Sequence, residues 1–392
     1  MSAQHIVVEA ALGESCESHR DNLESAYRNA LVALLGQLKG AGRSPAALHH
    51  LTVRSPGGRL NPHAWACDRL WREVFGGFKP AGFAVEATQG ARIALVATLG
   101  EPPDSVPDEP AVWHGLTASQ INAAYSARAA VPDHLEIFER WREAGDRFLA
   151  DHEVRRDLAY GEDPQQRFDF FPGSRPAAPL LVFIHGGYWQ AMDKAEHGQL
   201  LRGHLDAGWA LAVLNYRLCP EATIADQVQD VREALRHLWH QAEGYGIDRH
   251  RIQVGGHSAG GHLGACLVST DWPDLDPAMP SDPIRSALLV SGLFELEPMR
   301  HMSFGALLGL PDAETARALS PRFATPNPGL RLQLAVGERE SAAFHWQSRE
   351  LARRWGAHLE GIQVSSVPGT HHFSVMETLA EGRLLEASLS LM

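Results

Sequence analysis

From about residue 115 onward the chain alternates short apolar runs with longer amphipathic stretches. Runs at 168–171, 180–184, 210–214, 252–254, 288–290, 332–336 and 362–367 are short and read as strands; 180–184, 210–214 and 288–290 are wholly apolar, the pattern of strands buried on both faces, and the others carry polar residues among the apolar ones. Between them, 225–242 and 345–355 place their apolar residues three and four apart, which predicts helices. Two more amphipathic helices, 118–125 and 135–148, precede the strand series. Such alternation predicts an α/β architecture, a mostly parallel, doubly wound sheet with ligand groups at the carboxyl ends of its strands.

The first hundred residues follow a different plan: strand, helix, strand, helix, strand, strand. A strand at 5–8 is followed by a helix at 23–38, where Leu23, Ala26, Tyr27, Ala30, Leu31, Leu34, Leu35 and Leu38 recur at helical spacing. Asn61-Pro62 opens a second helix that stops at Gly76-Gly77, and 83–85 and 93–96 are expected to pair as strands. This is a small α+β module. It holds ten Lys/Arg against eight Asp/Glu in a chain whose net charge is −12, so the acidity lies in the remainder. Between the two parts runs Gly100-Glu-Pro-Pro-Asp-Ser-Val-Pro-Asp-Glu-Pro110, whose four prolines and four acids are linker composition. The expected organisation is a 1–100 module, a 101–114 linker and a 115–392 α/β domain.

Composition narrows the function. With 44% hydrophobic and 21% charged residues the chain is globular. A net charge of −12 without a basic stripe argues against nucleic acid as a partner. Cys16, Cys67, Cys219 and Cys266 show no C-x-x-C spacing and no H-E-x-x-H occurs, so neither a disulfide framework, a metal nor a cofactor is expected. The start lacks a basic, then apolar leader, and no run reaches the ~18 apolar residues of a membrane span. A cytoplasmic protein acting on a small molecule is the expectation.

Two glycine-rich signatures close apolar runs. Gly256-His257-Ser258-Ala259-Gly260-Gly261 fits G-x-S-x-G, in which a serine sits on a tight strand-to-helix turn with its oxygen exposed. His185-Gly186-Gly187 fits the HGG loop, whose backbone N–H groups face a developing oxyanion; Gly186, Gly187 and Ala259 are the candidates for that hole. A serine nucleophile needs a base and an acid, in chain order serine, acid, histidine for this architecture. After the run at 332–336 the exit loop offers Glu338 and Glu340, with Glu340 preferred. After the last run, Pro368-Gly369-Thr370 leads to His371-His372, one of which is the expected base, because imidazole both takes and returns a proton near neutral pH. His185, Ser258, Glu340 and His372 all fall at or just past the carboxyl ends of predicted strands. Tyr188 and Trp189 are candidates for stacking on an aromatic substrate, with packing behind the oxyanion loop as the alternative.

The stretches Val182-Phe-Ile-His-Gly-Gly-Tyr-Trp-Gln190, Gly256-His-Ser-Ala-Gly-Gly-His-Leu263, Leu289-Val-Ser-Gly-Leu-Phe-Glu-Leu-Glu-Pro298 and Phe344-His-Trp-Gln-Ser348 resemble the kynurenine formamidase (arylformamidase) branch of the α/β-hydrolases, from about Gly115 to the C-terminus. The resemblance implies hydrolysis of an aryl formamide, N-formylkynurenine, without a cofactor. It places the acid three residues after the strand-end glycine, at Glu340, and the base before the phenylalanine of an HF pair, at His372. Glutamate departs from the aspartate usual there; it is one methylene longer, but other members of the fold use it. The alternative reading is a carboxylesterase acting on short acyl or aryl esters.

In the first part, Asn22-Leu23 and the helix after it, Leu51-Thr-Val53, Trp71-Arg-Glu-Val-Phe-Gly76 and Lys79-Pro-Ala81 resemble the reactive-intermediate deaminase (Rid) family, a small chorismate-mutase-like α+β domain. Gly82 stands where that family's deaminases carry an arginine for the substrate carboxylate, so deamination is not expected. The family's trimers imply an oligomer, a trimer through this part or a dimer.

Overall fold

The computed structural model describes residues 4–11, 19–41, 48–56, 82–88, 92–99, 110–359 and 361–392. The chain divides into two compact units, Met1–Gln120 and Ile121–Met392. The division falls past the expected 101–114 linker, of which 101–109 lie outside the described residues.

In the first unit, β1 (Gln4–Ala11), α1 (His19–Gly40), β2 (Leu48–Pro56), β3 (Gly82–Thr88) and β4 (Arg92–Leu99) form one helix and a sheet of order β1-β4-β2-β3. Tyr27, Ala30, Leu31, Leu34 and Leu38 line the buried face of α1, and share one core with Leu51, Val53, Ile93, Leu95 and Ala97. The expected pairing of the strands at 83–85 and 93–96 is not found. β4 runs antiparallel to both β1 and β2, and β3 lies parallel to β2 at the edge. Ile93, Leu95 and Ala97 bury one face of β4 against the core, while which strands pair along its edges is a property that nearness in sequence does not reveal. The helix expected from Asn61 lies outside the described residues.

The second unit is built on β5 (Arg155–Ala159), β6 (Arg167–Phe171), β7 (Ala178–Ile184), β8 (Ala210–Leu214), β9 (Ile247–His257), β10 (Ser286–Val290), β11 (Arg331–Gly337) and β12 (Ile362–Val367). Their order is β12-β11-β10-β9-β7-β8-β6-β5. From β12 to β8 all neighbours are parallel, and β6 and β5 add antiparallel strands beside β8. Every residue of β7, β8 and β10 is buried, as their unbroken apolar runs require. β5 escaped the hydrophobic pattern because Arg155, Arg156 and Asp157 on this exposed edge leave no apolar run.

The longer helices are α2 (Ala118–Tyr125), α3 (His134–Asp151), α4 (Ile224–His240), α5 (Ala259–Leu267), α6 (Ala342–Trp355) and α7 (Arg383–Ser390). A capping box between Thr223 and Asp226 starts α4. Ile137, Trp141, Gly145 and Phe148 form the buried stripe of α3. All nine residues of α5 are buried, which its small residues Ala259, Gly260, Gly261, Gly264 and Ala265 permit. No helix among the described residues is long and apolar enough to cross a membrane.

Candidate active site

β9 ends at His257, and Ser258 turns the chain into α5 with φ +56° and ψ −118°. An L-residue at such a φ carries about 1–3 kcal/mol of strain. Ser258 is held there by its N–H, which donates to the Val290 carbonyl on β10 at 2.8 Å. The flanking glycines make the turn sterically possible. A Cβ on Gly256 would lie 2.2 Å from the Gly260 carbonyl oxygen, and one on Gly260 would lie 2.0 Å from that of Ile184. The first turn of α5 therefore abuts the ends of both β9 and β7.

His372, after β12, and Glu340, after β11, converge on this serine. His372 Nε2 lies 3.1 Å from Ser258 Oγ, and its Nδ1 lies 2.6 Å from Glu340 Oε2. All three residues are buried. Glu340 Oε1 accepts from Ser291 Oγ at 2.5 Å and from the Gly337 N–H at 2.7 Å. The extra methylene of glutamate thus lets the carboxylate fold back onto its own strand end while its other oxygen faces the imidazole. Burial pushes the Glu340 carboxyl up, but the neighbouring His372 charge and the hydrogen bonds from His372, Ser291 and Gly337 together hold it below its ordinary value.

The competing residues lie elsewhere. Glu338 is exposed, and its Oε2 accepts from the Gly369 N–H at 2.8 Å, bracing the turn before the histidines. His371 Nδ1 accepts from the N–H groups of Phe373 and Ser374, both at 3.3 Å, and burial lowers its pKa.

The HGG loop passes beside the serine. A Cβ on Gly186 would come within 3.1 Å of Ser258 Cβ and 3.0 Å of the His257 carbonyl oxygen. Gly187 has φ +106°, and a Cβ there would lie 2.1 Å from the Ala191 carbonyl oxygen, so only glycine fits. Ala259 opens α5, where a helix N–H has no intrahelical acceptor. The Tyr216 hydroxyl donates to the His185 carbonyl at 2.9 Å and tethers the start of the loop.

Of the two aromatics offered either for stacking on a substrate or for packing behind the oxyanion loop, Trp189 is corrected from a substrate-binding residue to a packing one. It is fully buried, and its indole N–H donates to His262 Nδ1 at 3.3 Å, so it supports the loop from behind. Tyr188 is half-buried, its ring packs on Phe304, and its hydroxyl donates to the Tyr125 carbonyl. The aromatic side chain lining the cavity beside the site is Phe344, whose ring centroid lies 4.7 Å from that of His372. This cavity, of about 210 Å³, is bounded by Ala124, Ala127 and Val131 on one side and by Phe344, Glu340 and His372 on the other.

Sequence reasoning missed two supporting residues. Ser291, which closes β10 at φ +52° and donates to Glu340, reads in sequence as one more small polar residue after a strand. His257 is fully buried, and burial holds its pKa far below the ordinary histidine value. It is therefore neutral, and its Nε2–H donates to the His372 carbonyl at 2.8 Å. Its place next to Ser258 inside G-x-S-x-G was the one available signal.

A family model described as BD-FAE matches residues 170–279. A kynurenine formamidase of Danio rerio is 27% identical over 293 residues, covering 71% of this chain and 97% of the relative. Among solved structures, a Silicibacter sp. protein provisionally described as a thioesterase is 30% identical with a TM-score of 0.62, covering 69% of this chain and 99% of its own. Esterase B of Lactobacillus rhamnosis, at 20% identity and a TM-score of 0.51 over 68% of this chain and 96% of its own, shares the fold.

Proposed function

This chain belongs to the α/β-hydrolases and is a hydrolase, and from that premise we propose that it cleaves an aryl formamide, N-formyl-L-kynurenine, to L-kynurenine and formate. The observation that carries the reading is the single imidazole bridging serine and carboxylate, 3.1 Å from Ser258 Oγ and 2.6 Å from Glu340 Oε2. The choice of a formamide rests on the relative from Danio rerio, aligned over 97% of its length.

In this reading Glu340 accepts from His372 Nδ1–H, which leaves Nε2 unprotonated and facing Ser258. His372 takes the serine proton as Oγ attacks the formyl carbon. Backbone N–H groups of Gly187 and Ala259, with Gly186 shaping the loop, hold the tetrahedral oxyanion; one such donor is worth about 3–4 kcal/mol of barrier. The C–N bond breaks as His372 returns the proton to the leaving arylamine. Water, deprotonated by His372, then attacks the formyl ester, and formate leaves as Ser258 regains its proton.

The second reading, an esterase for short acyl or aryl esters, draws on the esterase named above with the same fold. A kinetic comparison of N-formylkynurenine with p-nitrophenyl acetate separates the two. The formamidase reading expects the formamide to be the better substrate and Ser258→Ala to abolish both activities. Protein that cleaves the ester yet leaves N-formylkynurenine untouched refutes it. For the first unit the reading is a Rid-like domain without deaminase activity, because Gly82 offers no guanidinium, that assembles the protein into a trimer or dimer. Light scattering of the full chain and of residues 115–392 tests that role. The setting that fits is cytoplasmic breakdown of tryptophan.

A further inference from the structure

The cavity beside His372 carries two charges that the acyl-transfer chemistry does not use. Asp133 and Arg339 both line it, on opposite bounding segments. Asp133 precedes α3 as its N-cap residue, but its side chain makes no capping hydrogen bond. Arg339 lies in the exit loop of β11, directly before Glu340. Both backbones are fixed: the Arg339 N–H donates to the Thr370 carbonyl at 2.8 Å, and the Asp133 carbonyl accepts from Ile137 N–H at 3.2 Å. Both side chains are exposed, and neither forms an ion pair with another described residue. The rest of the wall mixes small and apolar residues, Ala124, Ala127, Val131 and Phe344 among them, with Ser126, Ser341 and His371 and with the Glu340–His372 pair.

Asp133 acts electrostatically on His371 in the same wall, but neither it nor Arg339 has a partner of opposite formal charge among the described residues, and such a cation and anion at a part-apolar cavity match a zwitterion. We infer that Arg339 and Asp133 form a subsite for an α-amino-acid headgroup, in which the guanidinium binds the α-carboxylate and the Asp133 carboxylate binds the α-ammonium. This rests on the formamidase reading for the identity of the acyl group, but not for the subsite itself. The planar guanidinium suits a carboxylate in a bidentate pair. The apolar residues of the wall then accommodate the substrate's aryl ring, with its formamide on the side of His372, which lines the same cavity. Under this inference the site selects aryl compounds that carry an amino-acid tail over those that end in a simple ketone.

The test measures inhibition of p-nitrophenyl acetate hydrolysis by L-kynurenine and by 2-aminoacetophenone, which keeps the aryl ketone and lacks the amino-acid group. Turnover of N-formylkynurenine and of 2-formamidoacetophenone is measured alongside. The wild-type protein is expected to bind L-kynurenine at least about tenfold more tightly than 2-aminoacetophenone, the effect of one or two charge-assisted hydrogen bonds. Arg339→Ala and Asp133→Asn are each expected to reduce that ratio about five- to tenfold, and Arg339→Lys to restore part of it. Equal binding of the two compounds by the wild type, or a ratio unmoved by both substitutions, overturns the subsite. If instead L-kynurenine is preferred and the ratio responds while neither formamide is cleaved, the subsite stands and the formamidase reading falls.

Discussion

Replacing Glu340 by glutamine tests the site at its most constrained point. Oε1 already accepts two hydrogen bonds, from Ser291 and Gly337, so the amide oxygen keeps that side and the NH₂ group is turned towards His372 Nδ1. A donor opposite Nδ1 forces the proton onto Nε2, the nitrogen that must accept from Ser258. The substitution therefore installs the wrong tautomer as well as removing a charge. Side-chain exposure is 5% for His372 and 1% for Glu340, so water does not screen the loss. An imidazolium left unpaired at such a depth costs about 3–5 kcal/mol, or roughly two to three and a half orders of magnitude in rate. Steady-state kcat for Glu340→Gln is expected to fall by about that much on both formamide and ester substrates. Glu338→Gln, at the carboxylate that braces Gly369, should stay within about threefold of the wild type. A folded Glu340→Gln protein with kcat within tenfold of the wild type refutes the assignment, as does a larger loss at Glu338.

Three further outcomes are expected. Gly187→Ala places a methyl group 2.1 Å from the Ala191 carbonyl oxygen at φ +106°, so the oxyanion loop must shift; kcat should drop at least about a hundredfold, and an unaltered rate would remove Gly187 from the hole. Ser291→Gly keeps the positive φ accessible but deletes the donor to Glu340. A fall in stability of about 1–3 kcal/mol by urea denaturation, with a lower kcat, is expected, and no change in either would show that the Gly337 N–H alone suffices. Burial holds His204 and His262 at about 4 and His197 at about 3, and holds His257 far below its usual value. These histidines stay neutral in the folded protein but bind protons once unfolded, so their contribution to stability is complete above about pH 6.5 and is lost as pH falls towards about 4. The lowered Glu340 carboxyl acts in the same direction below the ordinary carboxylate range. The urea midpoint should decline steadily from pH 7 to pH 5, and a flat or rising profile would contradict the burial of these rings.

Much of the α/β unit was legible because its information is local. A strand covered on both faces must be apolar throughout, so β7, β8 and β10 stand out as runs. A serine turned sharply from strand to helix needs glycines where backbones nearly touch, so Gly256 and Gly260 announce Ser258. The antiparallel edge was less visible, since exposed β5 carries charges in place of an apolar run. The pairing partners of β3 and β4 were misjudged, because nearness in sequence carries no information about which strand becomes central.

At the site, residue types and chain order pointed to Ser258, to Glu340 ahead of Glu338 and to the His371–His372 pair, and the family resemblance favoured His372, since tight turns and chain order leave marks in sequence. Tertiary structure separated Glu340 from Glu338 and His372 from His371. It also moved Trp189 into the core and brought Phe344, Ser291 and His257 to the site. Those distinctions depend on which side chains face one another across the ends of β9, β10, β11 and β12, where contact follows from strand order and burial. Side chains a hundred residues apart meet there only once the sheet has formed.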